Sequence, residues 1–98
     1  MRLLLTPAAQ LDLSDIWDFT VERWNAEQAE DYTVLIRDAL SELLAGRRTS
    51  RTADDIIPGY RKCQIGSHIA FYRTADDTLI VVRILHQQMD PTLHLRPD

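Results

Sequence analysis

Residues 79–85 read Leu-Ile-Val-Val-Arg-Ile-Leu, so six of seven consecutive side chains are large and aliphatic. A strand with one solvated face alternates apolar and polar residues; a run this dense belongs in the centre of a sheet with both faces covered. The run then passes into His86-Gln87-Gln88-Met89-Asp90-Pro91. At that exit the sheet fixes the positions of polar side chains that packing does not require, which is where a binding surface is expected.

Two further strands lead up to it. Tyr60–Ile65 and His68–Thr74 are joined by Gly66-Ser67, which suits a tight hairpin turn, and Asp76-Asp77 supplies the next turn. Alternation puts His68, Ala70 and Tyr72 on one face of the middle strand and Ile69, Phe71 and Arg73 on the other. In the last strand Ile80, Val82, Ile84 and His86 share a face, and Leu79, Val81, Arg83 and Leu85 take the opposite one. Arg83 in so apolar a strand either pairs with an acid of the covering layer or rises at a gap in it.

The covering layer comes from the N-terminal half. Arg2–Thr6 is a short apolar strand, placed at or near an edge of the sheet. Thr6-Pro7 reads as an N-cap followed by proline at the first helical position. Ala9, Leu13, Ile16, Trp17, Thr20 and Trp24 recur at helical spacing, with Asp12, Asp15, Asp18 and Glu22 on the other side. Asn25 ends this helix and caps the next, with Gln28 as the reciprocal member of a capping box. The second helix carries Ala29, Tyr32, Ile36, Ala39 or Leu40, and Leu43 inward and stops at Gly46. So short a link makes the pair an antiparallel hairpin. Arg47–Gly59 reads as a loop, and the apolar pair Leu93 and Leu95 docks the tail on the domain. The order β-α-α-β-β-β defines an α+β fold, one domain over residues 1–98, with a helical hairpin packed on a small, mainly antiparallel sheet.

Composition narrows the function. No apolar stretch approaches the ~18 residues of a membrane span, and Leu3-Leu4-Leu5 is too short for a signal-peptide core, so a cytoplasmic protein is expected. Cys63 is the only cysteine, which excludes a disulfide framework and a cysteine metal site. His68, His86 and His94 show no metal-ligand spacing, and no Gly-x-Ser-x-Gly elbow surrounds Ser67; neither metal nor cofactor is expected. Residues 1–46 carry three arginines against nine acids, whereas residues 47–98 carry eight basic residues against six acids. With a pI near 5.2, that asymmetry favours an acidic protein partner for a basic sheet over duplex DNA. Acid–base cleavage of RNA would draw on His68, His86, Arg61, Lys62, Arg73 and Arg83, all on adjacent strands, but each has an ordinary structural role as well. Trp24, at the end of the first helix, is the better placed of the two tryptophans to act as an exposed anchor.

Several stretches together resemble the ParE toxins of the RelE/ParE superfamily. They are Leu13-x-x-Ile16-Trp17-Asp18-x-Thr20-x-x-Arg23-Trp24, then Gln28-Ala29-Glu30-x-Tyr32, then Ile57-Pro58-Gly59-Tyr60-Arg61-Lys62, then Gly66-Ser67-His68-x-x-Phe71-Tyr72-Arg73, and finally Val82-Arg83-Ile84-Leu85-His86-Gln87-x-Met89-Asp90. The resemblance runs over nearly the whole chain. It implies the toxin of a type II toxin–antitoxin module, a non-enzymatic inhibitor of DNA gyrase held silent by a ParD-like antitoxin whose tail docks between hairpin and sheet. Under that reading His86, Gln87, Gln88, Met89, Asp90 and Arg83 face the target, and Trp24, Tyr60, Arg61 and Arg73 face the antitoxin. The alternative is a RelE-like, ribosome-dependent mRNA endoribonuclease. Against it, His68 stands where that branch carries an arginine, no tyrosine follows Asp90, and Lys62 is the only lysine.

Overall fold

The computed structural model describes residues 1–95; Arg96, counted above in the basic half, lies outside them. Strand β1 (Arg2–Leu5) is followed by helices α1 (Pro7–Arg23) and α2 (Ala26–Leu44), then by β2 (Arg51–Thr52), β3 (Arg61–Ile65), β4 (His68–Ala75) and β5 (Thr78–His86), and a 3₁₀ turn at Pro91–Leu93. The five strands form one sheet in the order β1-β5-β4-β3-β2. β1 pairs with β5 in parallel and the remaining pairs are antiparallel. The strand with the longest aliphatic run is therefore interior, and the N-terminal strand takes an edge, as the sequence indicated.

Local chemistry sets the helix boundaries. The Thr6 hydroxyl accepts the Ala9 N–H at 3.1 Å and Pro7 occupies the first turn. Asn25 Oδ1 accepts the Gln28 N–H at 2.8 Å, and Gly46, with φ +74°, lies just past the end of α2 where an L side chain would be strained. Asp76 and Asp77 both adopt left-handed φ values, the geometry of a two-residue hairpin turn between right-twisted strands.

The hairpin covers one face of the sheet. Ile16 of α1 and Ile36, Leu40 and Leu43 of α2 pack on Cys63, Ile65, Tyr72, Val81 and Ile84. Each of the larger side chains contributes roughly 1.5–3 kcal/mol by leaving water. A second cluster of Ala53, Ile57, Tyr60, Phe71, Val82, Leu85 and Leu95 covers the opposite face.

Four expectations are corrected. The 47–59 segment is more than a loop: Arg51–Thr52 adds an edge strand against Arg61 and Lys62, and the turn that follows buries Ala53 and Ile57 on the second face. That turn is closed by the Ala53 N–H on the Tyr60 carbonyl at 2.8 Å and by the Asp54 carboxylate on the Gly59 N–H at 2.7 Å. The tail docks by Leu95 alone, since Leu93 is 73% exposed. Asp12 is buried, although it was placed with the acids on the solvent side of α1. Finally, strict alternation fails in β5. Phe71 pairs with Arg83 while its neighbour Tyr72 pairs with Val81, so β5 carries an extra residue there. This β-bulge reverses the facing of everything after it. Leu79, Val81 and Ile84 join the hairpin-side cluster and Val82 and Leu85 the other.

Candidate functional site

The bulge determines what His86 can meet. Unbroken alternation would align it with Ile80 and Val82, away from the helices. After the bulge it pairs with His68, and the two imidazoles stand edge to face with centroids 5.3 Å apart. Tyr32 of α2 completes the group: its hydroxyl lies 2.6 Å from His68 Nδ1 and accepts the Ser67 N–H at 3.1 Å. The Ile65 carbonyl is 3.3 Å from the same hydroxyl. Gly66 makes this approach possible, because a Cβ there would lie 2.8 Å from Tyr32 Cε1 and Oη.

His86 Nδ1 accepts the Gln88 N–H at 3.2 Å, so the neutral ring carries its proton on Nε2. Both histidines thus use Nδ1 for the protein's own contacts. Burial lowers the His68 pKa below the ordinary 6.5 and the neighbouring His86 ring lowers it further, while Asp12 pulls the other way.

Three residues before His86 in β5, Arg83 forms a two-pronged ion pair with Asp12, Nε to Oδ2 at 2.8 Å and Nη2 to Oδ1 at 2.9 Å. Asp12 Oδ2 also accepts the Ile84 main-chain N–H at 2.8 Å, and Arg83 Nη1 donates to the His94 carbonyl at 3.1 Å. The bonds to Asp12 raise the Arg83 pKa above its usual value, with burial opposing. Of the two alternatives posed for Arg83, pairing with an acid of the hairpin is the one realised.

These side chains line a groove of about 580 Å³ between α1, the start of α2 and the ends of β4 and β5. All three histidines of the chain reach it, from β4, from β5 and from beyond the 3₁₀ turn. Its apolar wall includes Phe19, Trp24 and Met89, which are 62%, 67% and 38% exposed. Isolated apolar residues on a surface are ordinary, but three lining one cleft are not.

The residues singled out in the sequence divide by place. His86, Met89, Arg83 and Trp24 line the groove. Gln87, Gln88 and Asp90 are exposed beside it but held by specific bonds. The Gln87 N–H meets the Ser67 carbonyl, the Met89 N–H meets the His86 carbonyl, and Asp90 Oδ1 caps Thr92. Tyr60 is 6% exposed within the second cluster, so its expected place on a docking surface is corrected: the 53–60 turn folds it inward. Arg61 begins β3, four residues and roughly 13 Å along the strand from Ile65, the partner of His68. It is held by Ser50. Neither Arg61 nor Arg73 lines the groove. The structure also brings in Asp12, Phe19, Tyr32 and His94, which the sequence reading had not joined to any site. Asp12 carried one signal, its position three residues after Ala9 and four before Ile16 on the inward stripe.

Residues 3–91 match the family model for the ParE toxin of the type II toxin–antitoxin system parDE. The chain is 50% identical over 90 residues to Toxin ParE1 of Mycobacterium tuberculosis (strain ATCC 25618 / H37Rv), covering 91% of this chain and 92% of that protein. It is 34% identical over 91 residues to Toxin ParE1 of Caulobacter vibrioides (strain ATCC 19089 / CIP 103742 / CB 15), covering 93% and 94%. In fold it superposes on a chain of the chromosomal ParDE system from P. aeruginosa with a TM-score of 0.77 at 24% identity, covering 88% of this chain and 95% of that one. The chain belongs to the ParE toxin family of type II toxin–antitoxin systems. Among the described residues no helix is long and apolar enough to cross a membrane.

Proposed function

We propose that this toxin acts in the cytoplasm as a non-enzymatic inhibitor of DNA gyrase, and that a ParD-like antitoxin silences it by occupying the groove. The observation that carries the reading is the segment after β5. Gln87, Gln88 and Met89 are exposed yet fixed by main-chain bonds to Ser67 and His86. A main chain held in this way presents the two amides and the thioether to another protein without a further loss of backbone entropy. Met89 belongs to the groove as well, so a segment seated there covers part of the target-facing surface, and neutralisation follows from overlap.

The test is to incubate the antitoxin-free toxin with gyrase, supercoiled plasmid and ATP, and to release trapped DNA with detergent and protease. Linear DNA is the expected product. A blank lane from folded protein would overturn the gyrase assignment. Gln88→Glu separates the two surfaces: it should abolish linear product while leaving antitoxin affinity within about threefold, because Gln88 does not line the groove. Parallel loss of both would remove the assignment of this segment to the target.

One observation favours a second reading. His68 and His86 face each other as an acid and a base would in phosphodiester cleavage. The cations such a site needs are poorly placed for it, however. Arg83 is engaged by Asp12, and Lys62 lines a different cleft with Arg48 and Arg51. Ribosome-dependent cleavage of mRNA that His86→Ala eliminates would establish this reading instead.

A further inference from the structure

Among the described residues, the fixed charges that line the groove are Asp12, Asp15 and Arg83, two acids against one base. The other ionisable groups facing it, among the described residues, are His68, His86, His94 and the Tyr32 phenol. Its electrostatic sign is therefore set by imidazole protonation, and all of the chain's imidazoles are gathered there. Among the described contacts, the Nε2 atoms of His68 and His86 have no protein partner, whereas both Nδ1 atoms do.

We propose that the His68–His86 pair is a proton-coupled carboxylate subsite: an acidic side chain of the antitoxin seats against the two Nε2–H groups, and His68 takes up a proton as it binds. This rests on the groove being the antitoxin site and adds the chemistry of its polar end. Tyr32 is what lets His68 change state without rearrangement. When His68 is neutral, the Tyr32 hydroxyl donates to Nδ1. When it is protonated, Nδ1–H donates to the hydroxyl oxygen and the hydroxyl turns toward the Ile65 carbonyl at 3.3 Å. His86 keeps its Nδ1 bond to the Gln88 N–H throughout and offers Nε2–H as the second donor. In the free protein burial and the adjacent ring oppose a charge on His68; an arriving carboxylate reverses that balance and draws in the proton. The apolar wall of Phe19, Trp24 and Met89 specifies the rest of the ligand, an amphipathic segment with one acid beside its apolar face. Asp15, on the same wall, disfavours that acid elsewhere along the groove.

The measurement is calorimetric titration of the toxin with its ParD-like antitoxin, at pH 7 in two buffers of different ionisation enthalpy. The expected result is uptake of between about half a proton and one proton. Affinity should rise about three- to tenfold from pH 7.5 to 6.5, the ceiling for a single linked proton being tenfold per pH unit. His68→Asn and His86→Asn each keep an acceptor where Nδ1 now stands, so the fold and the 86–88 turn are retained. The double variant should bind with no proton uptake from the toxin. Uptake that persists in the double variant, or its absence in the unaltered protein, would overturn the subsite. If no antitoxin binds at all, it is the antitoxin reading that fails, a different outcome from binding without protons. A shift of the toxin alone to dimer at pH 6 but not at pH 8, seen by sedimentation, would make a second copy the occupant and would likewise overturn the proposal.

Discussion

Asp12→Ala tests how the sheet edge is held. β1 pairs with β5 only as far as Val81, so beyond that point the edge of β5 has no neighbouring strand. Asp12 substitutes for one: it accepts the Ile84 N–H at 2.8 Å and binds Arg83 through both oxygens. Removing it orphans a buried main-chain donor, which costs about 1–3 kcal/mol, and uncouples an ion pair whose disruption in a buried site costs about 3–5 kcal/mol. The Arg83 side chain is 25% exposed, and water will partly rehydrate it, so the two effects together should come to about 3 kcal/mol rather than their full sum. In a domain of this size that lowers Tm by about 12–24 °C. Asp12→Asn keeps one acceptor for Ile84 and should lose about half as much. The assay is urea unfolding followed by circular dichroism, with a displaced midpoint and an unchanged slope. The double substitution Asp12→Leu with Arg83→Leu sharpens it. Replacing an ion pair by apolar side chains is often neutral, so the cost that remains, about 1–3 kcal/mol, isolates the Ile84 N–H. An Asp12→Ala protein within 1 kcal/mol of the unaltered one would refute the assignment of this carboxylate as the closure of the edge.

Three further outcomes follow from the same geometry. Gly66→Ala forces an L residue to φ +57° and drives a methyl group into Tyr32; a loss of about 2 kcal/mol is expected, with displaced His68 ring signals by NMR, and native stability would refute it. Because the His68 pKa is lowered in the folded state, the unfolded chain binds more protons below pH 6.5. Free-toxin stability should therefore be full above that value and fall as the pH drops below it. His68→Asn should reduce the fall, and equal pH profiles would exclude His68 as its source. Trp24→Ala removes an exposed side chain, so free stability should move by less than about 0.5 kcal/mol, while antitoxin affinity measured by calorimetry drops at least tenfold if Trp24 anchors the partner.

The parts of this fold that were legible are those written in local chemistry. Thr6-Pro7, Asn25 and Gly46 mark helix ends because a cap needs only the residues beside it, and the aliphatic run of β5 announces its own burial. The bulge was not legible, since an extra residue between Phe71 and Tyr72 across the pair is a property of two strands together. That single feature moved Ile84 and His86 to the hairpin side and made the site. The two-residue β2 was hidden for a similar reason: it exists only against Arg61 and Lys62. Tyr60 was misplaced because nothing in its own segment reveals that the 53–60 turn curls over the second face. The histidines showed no spacing because they arrive from three separate elements. The exit residues 86–90 were legible as a surface. The groove beside them was legible only as an expectation drawn from resemblance.

The groove also has a physical origin. β1 has four residues and β5 nine, so the sheet is incomplete along the final part of its longest strand. Thr6 and Asp12 close the nearer part, the first through its hydroxyl on the Val82 carbonyl at 2.8 Å and the second on the Ile84 N–H. Past Ile84 the lining passes to His86, Met89 and the apolar side chains of α1. A partner seated there takes up space that a longer first strand would have filled. Stability and binding are thus laid out in sequence along β5: substitutions at Asp12 or Arg83 should change how firmly the toxin is folded, and substitutions at His86 or Gln88 what it recognises. Both lie beyond the bulge at Val82, which turns Ile84 and His86 together to the hairpin side.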